Sequence, residues 1–170
     1  MRYAYFAGGC FWCVAPAFDP AEGVLSATAG YSGGEEADPS YAEVKAQKTG
    51  HRETVRVEYD PESVSYGELL DLFLAQIDPF DGGGQFIDRG FSYTAAVYPS
   101  CPEEREEAEK KIRALEERAG RPVFVAVEDF RSFWPAEEEH QDYASKHPEE
   151  YRRELEISGR RTPPPDGKAD

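Results

Sequence analysis

Two cysteines stand three residues apart in Gly9-Cys10-Phe11-Trp12-Cys13. A short apolar segment ending in Gly8-Gly9 precedes them, and helix-compatible residues follow. That places the pair at a strand-to-helix turn, where free N–H groups and the helix dipole favour a thiolate. The thiolate is the nucleophilic form, and residues i and i+3 share a helix face. A reactive thiol with a second thiol in reach suits redox catalysis. Two buried structural cysteines would read the same way, and a thioredoxin-like dithiol shares the spacing. Half of a zinc site is disfavoured, because no second Cys-x-x-Cys exists and only His51, His140 and His147 remain.

Other residues could join such chemistry. Glu53 shares the parity of Val55, Val57 and Tyr59 in a strand-like run, so it should point inward. A buried carboxylate has a raised pKa and can act as an acid. Tyr41, Asp88 and Tyr93 lie in or beside polar loops, where binding groups concentrate. His51-x-Glu53 and Glu139-His140 are weak metal pairs that read better as surface residues. Gly82-Gly83-Gly84 lacks the following Lys-Ser/Thr of a phosphate loop. Cys101 falls in the first turn of a helix and reads as a bystander.

The elements that must position these groups follow from periodicity. Strands are predicted at 3–7, 24–31, 50–59, 93–98 and 123–127, and helices at 10–18, 65–77 and from the Ser100 cap to about 118. Ser65-x-x-Glu68 and Ser100-x-x-Glu103 read as capping boxes. Residues 35–40 and the Gly- and Asp-rich 78–91 read as loops, and 133–156 as short helices. Thr54, Arg56 and Glu58 should face water. The order implies an α+β fold with one mixed sheet and helices packed on it.

The chain has 170 residues, enough for one domain with a real core. We expect a single domain over 1–157 and a flexible tail over 158–170. Nineteen basic against 34 acidic side chains give a net charge of −15. So acidic a chain repels phosphate backbones and anionic lipid, so neither nucleic acid nor membrane is expected as a partner. Three cysteines are too few for a disulfide scaffold, and no apolar leader opens the chain, so a reducing cytoplasm is expected. A monomer is the simplest oligomeric expectation.

Together with Gly9-Cys10-Phe11-Trp12-Cys13, six further blocks in order resemble the methionine sulfoxide reductase A family. They include Thr28-Ala29-Gly30-Tyr31-Ser32-Gly33-Gly34, Pro39-Ser40-Tyr41-Ala42-Glu43-Val44 and Thr49-Gly50-His51-Arg52-Glu53. Val57-Glu58-Tyr59-Asp60-Pro61, Gln85-Phe86-Ile87-Asp88-Arg89-Gly90 and Ala136-Glu137 with His140-Gln141-Asp142-Tyr143 follow. The resemblance implies a two-layer sandwich with a ferredoxin-like core and long loops, and reduction of methionine S-sulfoxide, free or in proteins. It implies Cys10 as nucleophile, Glu53 as acid, Tyr41 and Tyr93 as hydroxyls on the sulfoxide oxygen, Phe11 and Trp12 as the methyl pocket, and Asp88 as a polar lining residue. A sulfenic acid on Cys10 then needs a second thiol. Since no cysteine follows Cys101, the resemblance implies Cys13, with Cys101 as fallback. It implies thioredoxin as external reductant, with dithiothreitol substituting in vitro, and neither cofactor nor metal. Thr94 stands where the family commonly has arginine, and Ala15 where it often has an acid.

Overall fold

The computed structural model describes residues 1–160. In chain order the strands are β1 (Arg2–Gly8), β2 (Val24–Ser32), β3 (Arg52–Tyr59), β4 (Gly84–Gln85), β5 (Asp88–Arg89), β6 (Ala95–Val97), β7 (Val125–Val127) and β8 (Phe133–Pro135). The helices are α1 (Phe11–Val14), α2 (Tyr41–Lys45), α3 (Tyr66–Gln76), α4 (Pro102–Ala119), α5 (Tyr143–Lys146) and α6 (Pro148–Ser158). Six strands form one mixed sheet in the order β7-β6-β1-β3-β2-β8, with only β6–β7 parallel. This is the α+β architecture expected.

Alternation along the strands sorts the two faces. Ala4 and Phe6, Ala29 and Tyr31, and Val55, Val57 and Tyr59 join the main core with Leu69, Leu70 and Phe73 of α3 and Ala108 of α4. Phe6 stacks between Phe18 and Phe73, with ring centroids at 5.3 and 5.1 Å. The other face carries a smaller cluster of Tyr5, Ala7, Ala96 and Tyr98 under Phe130 and Phe133. That cover explains why Thr54, expected in water, is fully buried, and why Arg56 and Glu58 are only partly exposed.

Local chemistry sets the element ends. Ser65 and Glu68 form the predicted capping box of α3, and Ser40 and Glu43 form another on the short α2. The second predicted box is absent: Cys101 is the N-cap of α4, and Glu104 takes the Ser100 N–H instead at 2.8 Å. The predicted helix over 10–18 is shorter than expected. Pro16 has no N–H for a bond four residues back, and the chain tightens into a 3₁₀ turn at Ala15–Ala17. Residues 78–91 are not structureless, since β4 and β5 form a hairpin there. Strand β8 was not predicted, because three residues are too few for a period to show.

The tail expected to start at 158 also needs correction. Helix α6 runs to Ser158, and Arg160 is buried with its guanidinium bonded into the body of the fold. The rest of that segment, 161–170, lies outside the described residues. Among the described residues no helix is long and apolar enough to cross a membrane.

Candidate active site

The β1–α1 turn delivers the two thiols. Gly9 adopts φ +88°, and a Cβ there would lie 2.5 Å from Arg160 and 2.7 Å from Gln85, so only glycine fits. Cys10 is the N-cap of α1, and its carbonyl accepts from the N–H groups of Cys13 (3.0 Å) and Val14 (3.2 Å). Both cysteines are buried and unbridged. Their sulfurs share a hydrogen bond, which together with burial and the Glu53 and Asp88 carboxyls pushes the Cys10 thiol well above its ordinary range. The same hydrogen bond, helped by Arg160, draws the Cys13 thiol down. The helix start was expected to favour a Cys10 thiolate. It does not, because the Phe11 N–H is turned to Glu53 Oε1 at 3.2 Å and α1 is barely one turn long.

Glu53 sits at the β2 side of the centre of the sheet, opposite Tyr31, and faces the core as its parity required. It is 1% exposed. Its Oε1 accepts the Phe11 N–H, while Oε2 is buried with no hydrogen-bond partner. Burial pushes its pKa up to about 8, with the nearby Asp88 carboxyl adding to the rise. At neutral pH the carboxyl is therefore mostly protonated, with a donor to offer.

Tyr41, Tyr93 and Asp88 converge on this pair from three separate segments. Tyr41 opens α2, held by Glu137, whose carboxylate takes the Tyr41 N–H (3.4 Å) and the Tyr31 hydroxyl (3.1 Å). Tyr93 lies in a 3₁₀ turn, Phe91–Tyr93, rather than in the predicted strand. Gln47 fixes that turn by bonding both the Ser92 hydroxyl (2.7 Å) and its N–H (2.9 Å). Burial raises both tyrosine hydroxyls, and Glu53, Cys10 and Asp88 are close enough to add to the rise. Asp88, on β5, is raised by burial as well, against the pull of Arg160 and Lys45.

Phe11 and Trp12 form the aromatic side of the site. Phe11 is buried against Tyr31, Tyr41 and His140, whereas Trp12 is partly exposed and stacks on Tyr143 at 4.0 Å. The Trp12 indole donates to His140 Nδ1 at 3.3 Å. That leaves the proton of a neutral ring on Nε2, facing Glu137 and Glu139 at 3.7 and 3.6 Å. The nitrogen presented to those carboxylates is therefore a donor, which does not suit a metal ion. His140 was expected at the surface but is buried, as is His51, which ties Gly34 to Glu36 through its two ring nitrogens.

Four residues of the site carried no role in the sequence reading: His140, Gln141, Tyr143 and Arg160. Gln141 extends the sheet with its side chain, bonding Ala29 N (2.9 Å), Ala29 O (2.9 Å) and Ala136 O (3.0 Å). The first three belong to a block already recognised, but Arg160 had no signal at all. The unusual Thr94 accepts from Arg52 Nε at 2.8 Å. Ala15 packs partly buried beside Trp12 in a shallow cleft.

Cys101 is not brought to this site. Because β1 and β6 run antiparallel, it lies near Arg2 and Tyr3, at the far end of β1 from Cys10. At ~3.3 Å of rise per residue that is roughly 20 Å away. Its expected role as fallback partner fails on distance.

A family model described as peptide methionine sulfoxide reductase matches residues 2–163. The Rhizobium meliloti protein named peptide methionine sulfoxide reductase MsrA 2 is 48% identical over 150 residues, covering 88% of this chain and 75% of that one. A Bacillus licheniformis protein named peptide methionine sulfoxide reductase MsrA is 45% identical over 159 residues, 92% of this chain and 88% of its own. The reduced form of Saccharomyces cerevisiae Mxr1 superposes with a TM-score of 0.82 at 26% identity, covering 87% of this chain and 86% of that one.

Proposed function

We propose a residue-level course of reaction for this chain, which belongs to the peptide methionine sulfoxide reductase family. It is an oxidoreductase that reduces methionine sulfoxide to methionine. The assignment of steps to residues rests on one observation above the others. A buried carboxyl with a free Oε2 stands in the same cluster as a buried thiol pair.

The sulfoxide methyl enters beside Phe11 and Trp12, whose aromatic faces suit a thioether-like group. Tyr41 and Tyr93 direct hydroxyls at the sulfoxide oxygen, in a sheltered site where such donors act strongly. Cys10 sulfur attacks the sulfoxide sulfur as Glu53 gives its proton to the oxygen and the Cys10 proton restores the carboxyl. The S–S bond of that adduct then breaks with its electron pair going to the methionine sulfur, while the hydroxyl passes to the Cys10 sulfur. The sum is thiol plus sulfoxide giving a Cys10 sulfenic acid plus methionine. Cys13 then attacks the Cys10 sulfur, expelling water and forming a Cys10–Cys13 disulfide. Asp88 lines the site and keeps it polar. The single-sided arrangement of acid, hydroxyls and aromatic pocket selects one sulfoxide epimer, the S form, free or in proteins.

A dithiol protein of the thioredoxin class reopens the disulfide by exchange, and dithiothreitol substitutes in vitro. No further cofactor or metal enters these steps. Our reading has the chain act as a monomer in a reducing cytoplasm, where its thiols stay reduced between turnovers. The test is a coupled assay with each sulfoxide epimer, thioredoxin, its reductase and NADPH. S-epimer turnover is expected, lost in Cys10→Ser. Methionine formed by Cys10→Ser in a single turnover would refute the nucleophile.

A further inference from the structure

Arg160 is a buried cation in want of a counter-charge. It is 6% exposed. Its guanidinium donates to Gly8 O at 2.7 Å and to Gln76 O at 3.1 Å, and it lies over the Phe86 ring at 4.8 Å. It also presses against Gly9, the residue next to Cys10. Among the described residues no carboxylate forms an ion pair with it, although most other buried cations in proteins are paired. Two neutral carbonyls take two of its donors and leave its charge unbalanced. The ionisable groups that face it are Cys13 and Cys10 from α1, Asp88 from β5 and Tyr151 from α6. Glu154 of α6 acts on Cys13 and Asp88 from the same side, and Glu53 acts on Cys10 from β3.

We propose that Arg160 is a positioning residue for the second thiol: its guanidinium holds the negative charge of the pair on Cys13, which makes Cys13 the attacking thiolate. This rests on the reading that Cys13 resolves the Cys10 sulfenic acid. In that step a new Cys13–Cys10 S–S bond forms and the Cys10 S–O bond breaks. The electron pair of the thiolate enters the new bond, and the hydroxide leaves as water with the proton of the Glu53 carboxyl. A cation at the turn that carries the thiols raises the fraction in the reactive form at neutral pH. Glu154 and Asp88 oppose it, so the balance is sensitive to the loss of one positive charge. The electrostatics point the same way: the hydrogen bond from Cys10 draws the Cys13 thiol down and Arg160 adds to that pull, while the same hydrogen bond and burial push the Cys10 thiol up.

The test titrates thiolate absorbance at 240 nm in the reduced full-length protein, and follows a single turnover by quenching. Methionine formed reports the first step, and thiols lost report the second. Arg160→Gln is expected to move the first thiolate midpoint up by at least one pH unit. It should slow thiol loss at pH 7 about tenfold, with the deficit closing as pH rises past the new midpoint. Arg160→Lys should keep the midpoint near that of the wild type. An unchanged midpoint, or a deficit that stays the same at high pH, would overturn the proposal and leave Arg160 as a clamp between β1 and α3. Should Arg160→Gln fail to fold, Cys13→Ser decides: the first thiolate must vanish from its titration, and its persistence overturns the proposal. The same variant isolates the premise. Sulfenic acid lost from Cys13→Ser as fast as from wild type would remove the resolving role itself, independently of any midpoint.

Discussion

The Glu53 carboxyl should weaken the fold at the pH where it serves the reaction, and Glu53→Gln should expose that cost. Burial lifts its pKa from an ordinary 4.5 to about 8. A group raised in the folded state stabilises fully below its unfolded value and loses that contribution as pH climbs through the folded one. Between pH 4.5 and 8 the wild type therefore loses stability that a glutamine, which never ionises, keeps. At about 1.4 kcal/mol per pH unit, the gap widens by about 3 kcal/mol up to pH 7 and about 5 kcal/mol up to pH 8. Glutamine retains an oxygen for the Phe11 N–H, so the local bond at 3.2 Å survives.

The assay is urea unfolding of both proteins from pH 5 to 9 with the thiols kept reduced. Other titrating groups are common to both and largely cancel. The difference should rise with pH, then level off above 8. Parallel stability curves across that window would refute the buried, protonated carboxyl. Activity should move the opposite way. Loss of a positioned acid typically costs 10²–10⁴-fold in turnover. The wild-type rate should also fall above pH 8 as the acid ionises, while the residual rate of Glu53→Gln lacks that fall.

Three further outcomes follow from the geometry. Cys13→Ser, given S-sulfoxide without external dithiol, should form one methionine per chain and lose one thiol, with a 16 Da gain on Cys10 by mass spectrometry, where wild type loses two thiols and gains no mass. Tyr93→Phe should lower kcat roughly 10²-fold with a smaller effect for the half-exposed Tyr41→Phe, and equal, small effects in both would refute their role as oxygen donors. Gly30→Ala should destabilise the fold by about 1–3 kcal/mol in thermal melts, because its Cβ would lie 2.4 Å from the Phe133 ring and 2.5 Å from the Trp134 carbonyl.

What the sequence revealed divides along a physical line. Glu53 was placed inward correctly because a strand has period 2 and its neighbours Val55, Val57 and Tyr59 fix the phase. The α3 capping box was legible because it is a local pattern of two residues. Ser100-x-x-Glu103 carried the same letters and misled, since Pro102 starts α4 one residue later and makes Cys101 the cap. Thr54 and His51 were misplaced because what covers them comes from far along the chain: the segment around Phe130 and Phe133 for one face, the Gly34–Glu36 loop for the other. Strands β4, β5 and β8 are too short to carry a period.

The charge state of the thiols shows the same limit in the site itself. A cysteine at a helix start predicts a lowered pKa, and that inference used only local chain geometry. The fold reverses it for Cys10 by bringing three distant groups to bear. Glu53 takes the first helical N–H, Asp88 adds negative charge across the site, and Cys13 accepts the hydrogen bond. Arg160 enters from 147 positions beyond Cys13, two residues past the end of α6, a helix with no fully buried residue to announce it. A substitution at Arg160 should therefore alter the chemistry of Cys13 more than any substitution among the exposed charges of α6, such as Arg152→Gln or Arg153→Gln. Thiolate titrations of those two variants that shift as far as that of Arg160→Gln would show a general field rather than one buried cation.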